Sequence, residues 1–252
     1  MRAQTTIREI RRTSITAAVM ACLLLLGTPP ANGIPTVVFQ DNFNHDTPGS
    51  QPGLDPPLEP PGDVLYIRDW DGSILVSSSE GDLTDQPLKI TSGGNAYFRV
   101  EAFVDPDYQD CDTYTVSFRS FVAVTPFFTT VAVRDTSNRL IGSLEYRDAR
   151  RLSFNGSGNQ LATQWTANVG QLFEWTIDMQ AMTIDLSIDG VPQPEVQGRP
   201  FYQTADSFER LAITGTGAWV LVVDDIEIYG DGCSATAVEP VTWGRVKASY
   251  AR

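Results

Sequence analysis

Residues 218–230 read AWVLVVDDIEIYG, and this run decides the fold that the sequence predicts. The run is rich in β-branched residues, which favour β-strands. Because side chains alternate between the two faces of a strand, one face is expected to carry Val220, Val222, Asp224, Ile226 and Ile228. The acid in the middle of this apolar face needs a partner, since an unpaired buried carboxylate is very costly.

A second run with the same pattern lies near the start of the chain, where residues 35–44 read PTVVFQDNFN. Alternation places Val37, Phe39, Asp41 and Phe43 on one face, again with an acid among apolar side chains. We interpret the two runs as strands that meet in a β-sandwich. Their inward carboxylates would share a cation or a set of backbone donors.

The first 33 residues have the anatomy of a signal peptide. Four arginines precede an apolar stretch at residues 15–26, and small residues follow at 31–33, so we expect cleavage after Gly33. A transmembrane helix needs about 20 apolar residues, and this stretch is shorter. The sequence therefore predicts a secreted protein, either extracellular or periplasmic, with no membrane span.

The charge balance narrows the possible partners. Removal of residues 1–33 takes away four arginines and one glutamate, which leaves 14 basic and 30 acidic side chains. Such an acidic chain lacks the basic surface that nucleic acids and anionic lipids require. Divalent cations are natural partners for it, and the excess of acids favours solubility outside the cell.

The rest of the chain predicts an all-β fold in one domain, residues 34–230. Short runs of β-branched and aromatic residues are separated by Gly, Asn, Asp or Pro, and no helical period is sustained. The clearest pieces are a hairpin at residues 172–190 and a long strand at residues 113–124. Many strands spaced in this way form two packed antiparallel sheets. Residues 231–252 have no strand run, and we interpret them as a tail: either a frayed terminus or a recognition tag.

Two cysteines remain after the leader, Cys111 and Cys233. An even pair in an exported protein is expected to form a disulfide, although two free thiols are the alternative. Cys111 precedes the strand at residues 113–124 and Cys233 follows the last strand. A bridge would therefore tie the end of the domain to the middle of the chain.

Three runs together resemble a known superfamily: VFQDNFN at 38–44, LFEWTIDMQAMTIDLSIDG at 172–190 and VVDDIEIYG at 222–230. They look like the laminin-G-like, or concanavalin A-like, jelly roll, and the resemblance covers roughly residues 36–230. It implies two curved antiparallel sheets whose first and last strands are adjacent. Members include lectins, adhesive modules, carbohydrate-binding modules, glycosidases and polysaccharide lyases, so the fold does not choose the function.

Catalytic motifs of that superfamily are incomplete in this sequence. Its glycosidases carry an ExDxE-type strand, whereas here Val223 stands in place of the leading glutamate, although Asp225 and Glu227 remain as a possible carboxylate pair. His45 is the only histidine, which argues against serine–histidine catalysis and against zinc. Lyases of this fold usually use Tyr, His, Arg or Gln on a concave face. The candidates here are Tyr97, Arg99, Arg119, Tyr146 and Arg147, which are also ordinary residues of a solvated face.

Sugar recognition commonly uses an exposed aromatic ring beside polar groups. Trp70 and Trp165 are the two tryptophan candidates, and Tyr202 is the third. The alternative for each is packing in the core or at its rim. The sequence thus favours a secreted, non-catalytic binding or adhesion module for an extracellular glycan or surface polymer. The alternatives are a polysaccharide lyase or glycosidase of the same fold, and a structural surface-layer component.

A structural calcium ion would resolve the problem of the inward acids. Asp41 and Asp224 would bind it, with backbone carbonyls and Asp225 completing the six to eight oxygens typical of that ion. Two alternatives remain open. A β-bulge at residues 224–225 would turn both side chains outward, and an arginine would serve as a partner.

Overall fold

A computed structural model describes residues 35–44, 46–50, 52, 63–65, 72–92, 98–104, 108–124, 128–156 and 159–233. The predicted leader, Trp70, His45 and most of the predicted tail lie outside these ranges. The strands are β1 (Thr36–Asp41), β2 (Asp63–Leu65), β3 (Gly72–Val76), β4 (Leu88–Ser92), β5 (Phe98–Phe103), β6 (Thr113–Val124), β7 (Phe128–Arg134), β8 (Leu140–Tyr146), β9 (Arg151–Phe154), β10 (Gln160–Gln164), β11 (Gln171–Asp178), β12 (Thr183–Ile188), β13 (Val191–Pro192), β14 (Arg199–Pro200), β15 (Arg210–Thr216) and β16 (Val220–Asp231).

The strands form two antiparallel sheets, as the sequence predicts. Sheet A has the order β13-β12-β11-β6-β16-β4-β3, with β1 also paired to β16 and β14 to β12. Sheet B has the order β10-β9-β8-β7-β15-β5-β2. Strands β1 and β16 pair from Thr36 opposite Gly230 to Asp41 opposite Ile226, so the first and last strands are adjacent. Within the described ranges, no helix combines the length and hydropathy that a membrane span needs.

The core lies between the two sheets and is built by alternation along each strand. The predicted long strand at residues 113–124 is confirmed as β6, in which Tyr114, Val116, Phe118 and Val122 are buried in the main core cluster. The predicted hairpin at 172–190 is confirmed as β11 and β12. Its core-facing side chains are Phe173, Trp175, Ile177, Ile184, Leu186 and Ile188. Apolar burial of this kind is the main term that stabilises a sandwich.

One polar contact crosses the core between the sheets. The Tyr146 hydroxyl on β8 lies 2.5 Å from Ser120 Oγ on β6. Burial raises the pKa of Tyr146, and the hydrogen bond to Ser120 opposes that shift. Both hydroxyls are thereby satisfied inside an apolar interior, where an unpaired polar group would be costly.

The predicted disulfide is confirmed: Cys111 and Cys233 are bonded across 122 positions of sequence. Gly230, next to the end of β16, packs directly beneath the bridge. The Tyr114 hydroxyl accepts a hydrogen bond from the Cys111 backbone N–H at 2.9 Å and donates one to the Tyr108 carbonyl at 2.7 Å. The segment before β6 is therefore fastened to the last strand by covalent and polar contacts.

We predict that Gly230→Ala lowers the melting temperature. A Cβ at this position would lie 2.5 Å from Cys111 Sγ and 2.6 Å from Cys233 Sγ, which forces the bridge or the strand to move. Overpacking of this kind costs about 1–3 kcal/mol. Thermal unfolding measures the loss, and the same change in a Cys111→Ala/Cys233→Ala background should cost less. An equal loss in both backgrounds would contradict the assignment of the strain to the disulfide.

Candidate functional site

The aspartate pair of β16 sits in a β-bulge. Leu221, Val223, Ile226 and Ile228 belong to the main core, whereas Val222 belongs to a separate cluster on the other side of sheet A. The predicted single face from 220 to 228 is therefore wrong. The register between β16 and β6 shifts between Asp224 and Glu227, so one extra residue reverses the alternation at this point.

The bulge lies where β16 changes its neighbour. On one side β16 pairs with β4 as far as Val223 opposite Leu88, and then with β1 from Ile226 opposite Asp41. Asp224 and Asp225 occupy the interval between these two partners. Asp225 takes a left-handed φ of 49°, which a non-glycine residue adopts only at some cost.

The two side chains of the bulge differ in environment. Asp224 is 3% exposed, stands opposite Arg119 of β6 on the outer face of sheet A, and accepts a hydrogen bond from the Asp225 N–H at 2.9 Å. Asp225 is about half exposed, with Oδ2 3.8 Å from Arg119 Nε. The bulge alternative is thus confirmed in its location, but it turns only Asp225 to solvent.

The pKa of Asp224 is raised to about 7, chiefly by burial and also by the neighbouring charges of Asp225 and Asp85. The Asp225 N–H and the Arg119 cation oppose this shift. A carboxyl group of raised pKa beside a second carboxyl group is an arrangement that hydrolases use. However, a side chain that is 3% exposed offers a substrate little access.

Asp41 does not lie on the same face of the sheet as Asp224 and Asp225, which the calcium hypothesis required. It lies opposite Ile226, whose side chain faces the core, and its Oδ1 accepts a hydrogen bond from the Phe43 N–H at 2.9 Å. Asp224 points to the opposite face of the same sheet, so the two acids are not both inward. Among the described residues, no three His, Cys, Asp or Glu side chains form a group that could hold a metal ion. Calcium binding stays a prediction, with Asp224 and Asp225 as its shared-face ligands.

The three predicted aromatic residues have different positions. Trp165 is 3% exposed and belongs to the core, so its prediction as a sugar-stacking residue is wrong for this structure. Its indole N–H donates to the Arg147 carbonyl at 2.9 Å, which explains its burial beside a polar turn. Tyr202 is 60% exposed and remains a prediction as a stacking residue. Trp70 lies outside the described residues.

The outer face of sheet B, which points away from sheet A, carries aligned polar side chains. Pairing across five neighbouring strands sets one row of residues side by side: Gln160, Ser153, Glu145, Thr130 and Thr214. A second row, two residues further along, holds Ser143, Ala132, Ala212 and Glu101. Alternation produces this arrangement, because the residues between them in each strand point into the core.

Several of these side chains are buried although they face away from the core. Glu145 is 7% exposed, and Arg147 pairs with it, with Arg147 Nε 2.9 Å from its Oε2. The Ser143 N–H donates to Asn155 Oδ1 at 2.7 Å. The Thr130 hydroxyl is buried and has no hydrogen-bond partner among the described residues. Because buried polar groups are nearly always paired, this hydroxyl marks a place where a further partner would be favourable.

Sequence reasoning did not assign this face a site. It considered Tyr146 and Arg147 as possible groove residues, and the structure separates them: Tyr146 points into the core and Arg147 away from it. The signal was present in LEYR at 144–147, where apolar and charged residues alternate. The strand pairing that sets Glu145 beside Thr130 and Ser153 could not be read from the sequence.

No family model matches the sequence, and no curated protein is similar to it at a significant level. The fold is similar to that of a sialidase at 13% identity, over 83% of this chain and 19% of that chain, with a TM-score of 0.57. A Bacillus subtilis protein of unknown function with a galectin-like fold matches over 81% of this chain and 99% of its own, at 10% identity and a TM-score of 0.48. An alginate lyase of polysaccharide lyase family 7 matches over 62% of this chain and 82% of its own, at 10% identity and a TM-score of 0.45.

These likenesses concern the fold. Together with the two antiparallel sheets and the adjacent first and last strands, the likeness to the sialidase shows a concanavalin A-like jelly-roll β-sandwich fold. The resemblance stated from the sequence is therefore confirmed. This chain spans 19% of the length of the sialidase that it matches.

The raised pKa of Asp224 predicts a pH-dependent stability. Since the folded state favours its protonated form, the contribution of Asp224 to the free energy of unfolding is greatest below the ordinary pKa near 4 and falls as pH rises to about 7. Asp224→Asn removes this dependence, so the variant should gain on the native protein by up to roughly 4 kcal/mol across that window. Urea unfolding at pH 4 to 8 measures the difference. Parallel curves for the two proteins would contradict it.

We predict that millimolar calcium raises the melting temperature above its value in chelator, because an ion that binds only the folded state stabilises it. The effect should be larger at pH 8 than at pH 6, where a proton competes for Asp224. Asp224→Asn should abolish the response, and Glu174→Gln, another acid of the outer face of sheet A, should not. Identical melting curves in calcium and chelator would contradict calcium binding.

Proposed function

We propose that this chain is a secreted, non-catalytic glycan-binding module whose ligand lies on the outer face of sheet B. The observation that carries the proposal is the polar row from Gln160 to Thr214, which crosses five neighbouring strands. The row is exposed at its Gln160 end and half-buried at Thr214, whereas Ser153, Glu145 and Thr130 between them are buried. Glycans offer hydroxyls in repeated positions, and hydroxyl, amide and carboxylate groups are their hydrogen-bonding partners. A row fixed by backbone pairing holds such groups at spacings of about 4.8 Å.

The outer face of sheet A is a less suitable surface for this role. It carries a majority of acids: Glu174, Asp178, Asp185, Asp224, Asp225 and Glu227. Part of it is covered by residues 77–87. There Leu83 packs on Phe121 and Val222, and Asp82 accepts a hydrogen bond from the Gly170 N–H at 2.6 Å. The outer face of sheet B instead carries mainly neutral hydrogen-bonding groups, of which Gln160 and Gln164 are exposed on β10. Its acids Glu145 and Glu101 are each paired with an arginine.

Secretion is supported by the disulfide between Cys111 and Cys233, because such bonds persist in oxidising compartments. The jelly-roll fold shared with a sialidase is consistent with a role that involves carbohydrate, although a fold alone does not specify one. An extracellular glycan or surface polymer is therefore the partner that we propose.

An enzymatic role has less support. Retaining and inverting glycosidases place two carboxylates about 5–10 Å apart. On the outer face of sheet B, Glu101 and Glu145 are separated by three strand spacings, about 14 Å. On β16, the Glu227 carboxylate accepts hydrogen bonds from Gln40 and Tyr229, and the acid with the raised pKa is the buried Asp224.

We predict that the mature protein is retarded by glycan in affinity electrophoresis, and a glycan array would identify the preferred structure. Gln160→Ala/Gln164→Ala should weaken that binding about tenfold, because each lost hydrogen bond contributes about 0.5–1.5 kcal/mol. Both glutamines are exposed, so the melting temperature should not change. Gln180→Ala, an exposed glutamine in the turn between β11 and β12, is the matched control.

Two results would contradict the proposal. Binding that is unaffected by the change at Gln160 and Gln164 would remove the outer face of sheet B as the site. Absence of binding to every glycan, with and without calcium, would remove the function and favour the structural surface-layer alternative.

A further inference from the structure

The turn between β8 and β9 is a strained, arginine-rich hairpin at the edge of the polar face. We call residues 147–151, RDARR, the arginine hairpin. The Arg151 N–H bonds to the Asp148 carbonyl, and both intervening residues are left-handed, with φ of 52° at Ala149 and 62° at Arg150. Tight hairpin turns with two left-handed residues strongly prefer Asn-Gly, because other side chains are disfavoured there.

The buried Trp165 holds this hairpin in place. Its indole N–H donates to the Arg147 carbonyl at 2.9 Å, and its backbone N–H donates to the Arg150 carbonyl at 3.1 Å. Both bonds join the segment after β10 to the turn between β8 and β9. The hairpin backbone therefore has a fixed conformation, which fixes the Cα position from which each side chain extends.

The three arginines differ in their partners. Arg147 is paired with the buried Glu145, and Arg151 with Asp148. Arg150 is exposed and forms no ion pair within the described residues. The hairpin with Glu145 thus has one net positive charge, in a chain whose formal net charge is −13. The Arg150 guanidinium is therefore available to an external anionic group.

The arginine hairpin is continuous with the polar face of sheet B. Arg151 lies opposite Gln164 on β10, and two residues further along Ser153 lies opposite Gln160. Arg147 stands two residues beyond Glu145 on the same side of β8. A polymer lying along the polar row would therefore pass beside the guanidinium groups at the edge of the sheet.

We propose that the arginine hairpin selects glycans that carry anionic groups, with Arg150 and Arg151 as the residues that contact them. This inference rests on the proposed function and names the ligand class of the same site. Guanidinium groups bind carboxylates and sulfates through two parallel hydrogen bonds, which a neutral sugar cannot reproduce. The anionic group is either the carboxylate of an acidic sugar or a sulfate ester, and the probes below distinguish them.

The test compares polygalacturonate with its carboxyl-reduced, neutral form, and dextran sulfate with dextran, by affinity electrophoresis of the mature protein. We expect tighter binding to one charged member than to its neutral counterpart. Arg150→Gln should weaken that binding about tenfold, since it removes a charge-assisted hydrogen-bond donor. The binding should also weaken as salt increases. Arg119→Gln, an equal change of charge on the outer face of sheet A, should alter it less than twofold.

A second variant separates a structural role of the hairpin from a binding role. Replacing Ala149 and Arg150 together by Asn and Gly introduces the preferred residues for two left-handed positions. We expect a higher melting temperature together with the same loss of anionic binding as Arg150→Gln. Arg150→Lys keeps the charge without the planar fork and should give an intermediate affinity.

The possible outcomes distinguish this inference from the proposed function. Equal binding of charged and neutral polymers, or equal losses for Arg150→Gln and Arg119→Gln, would overturn the selection of anionic groups and leave glycan binding intact. Absence of binding to all four polymers, together with a negative glycan array, would overturn the proposed function itself. Binding that follows charge alone, including binding to anionic vesicles, would also overturn the inference.

Discussion

Strand β16 pairs with β6 along one side and with β4 and then β1 along the other, and sheet A depends on this pairing. A single strand can have two successive neighbours on one side only if an interval is left between them. The bulge at Asp224 and Asp225 occupies that interval. The exchange of neighbours thus accounts for the left-handed Asp225, for the buried Asp224 and for its raised pKa.

Alternation along the strands separates stability from recognition in this molecule. On sheet B, one face contributes side chains such as Leu144 and Tyr146 to the core, and the other carries the buried Glu145 and Ser153 and the exposed Gln160. Both faces are fixed by the same backbone hydrogen bonds. Changes of exposed residues on the outer face can therefore alter binding without a large loss of packing, as is usual for sites carried on rigid sheets.

Trp165 connects the core with the edge of the polar face. Its ring is buried with the core residues, while its two N–H groups bind carbonyls of the β8–β9 turn. A tryptophan needs a partner for its indole N–H when buried, and the turn supplies one. The same hydrogen bonds hold the turn in its unfavourable left-handed backbone conformation at Ala149 and Arg150. A residue that appeared to be a ligand contact is instead a support for the residues that we propose to make that contact.

The sequence by itself determined the all-β class, the hairpin at 172–190 and the disulfide, and the resemblance to the jelly-roll superfamily implied that the first and last strands are adjacent. Alternation, turn residues and cysteine number are local signals, and they survive without knowledge of the partners. Only the tertiary structure decided the face of Asp224, the burial of Trp165 and the row that joins Glu145 to Thr130 and Ser153. A bulge reverses alternation according to the neighbouring strands, and a row across a sheet depends on register between distant segments. Both are properties of pairing, which no single strand encodes.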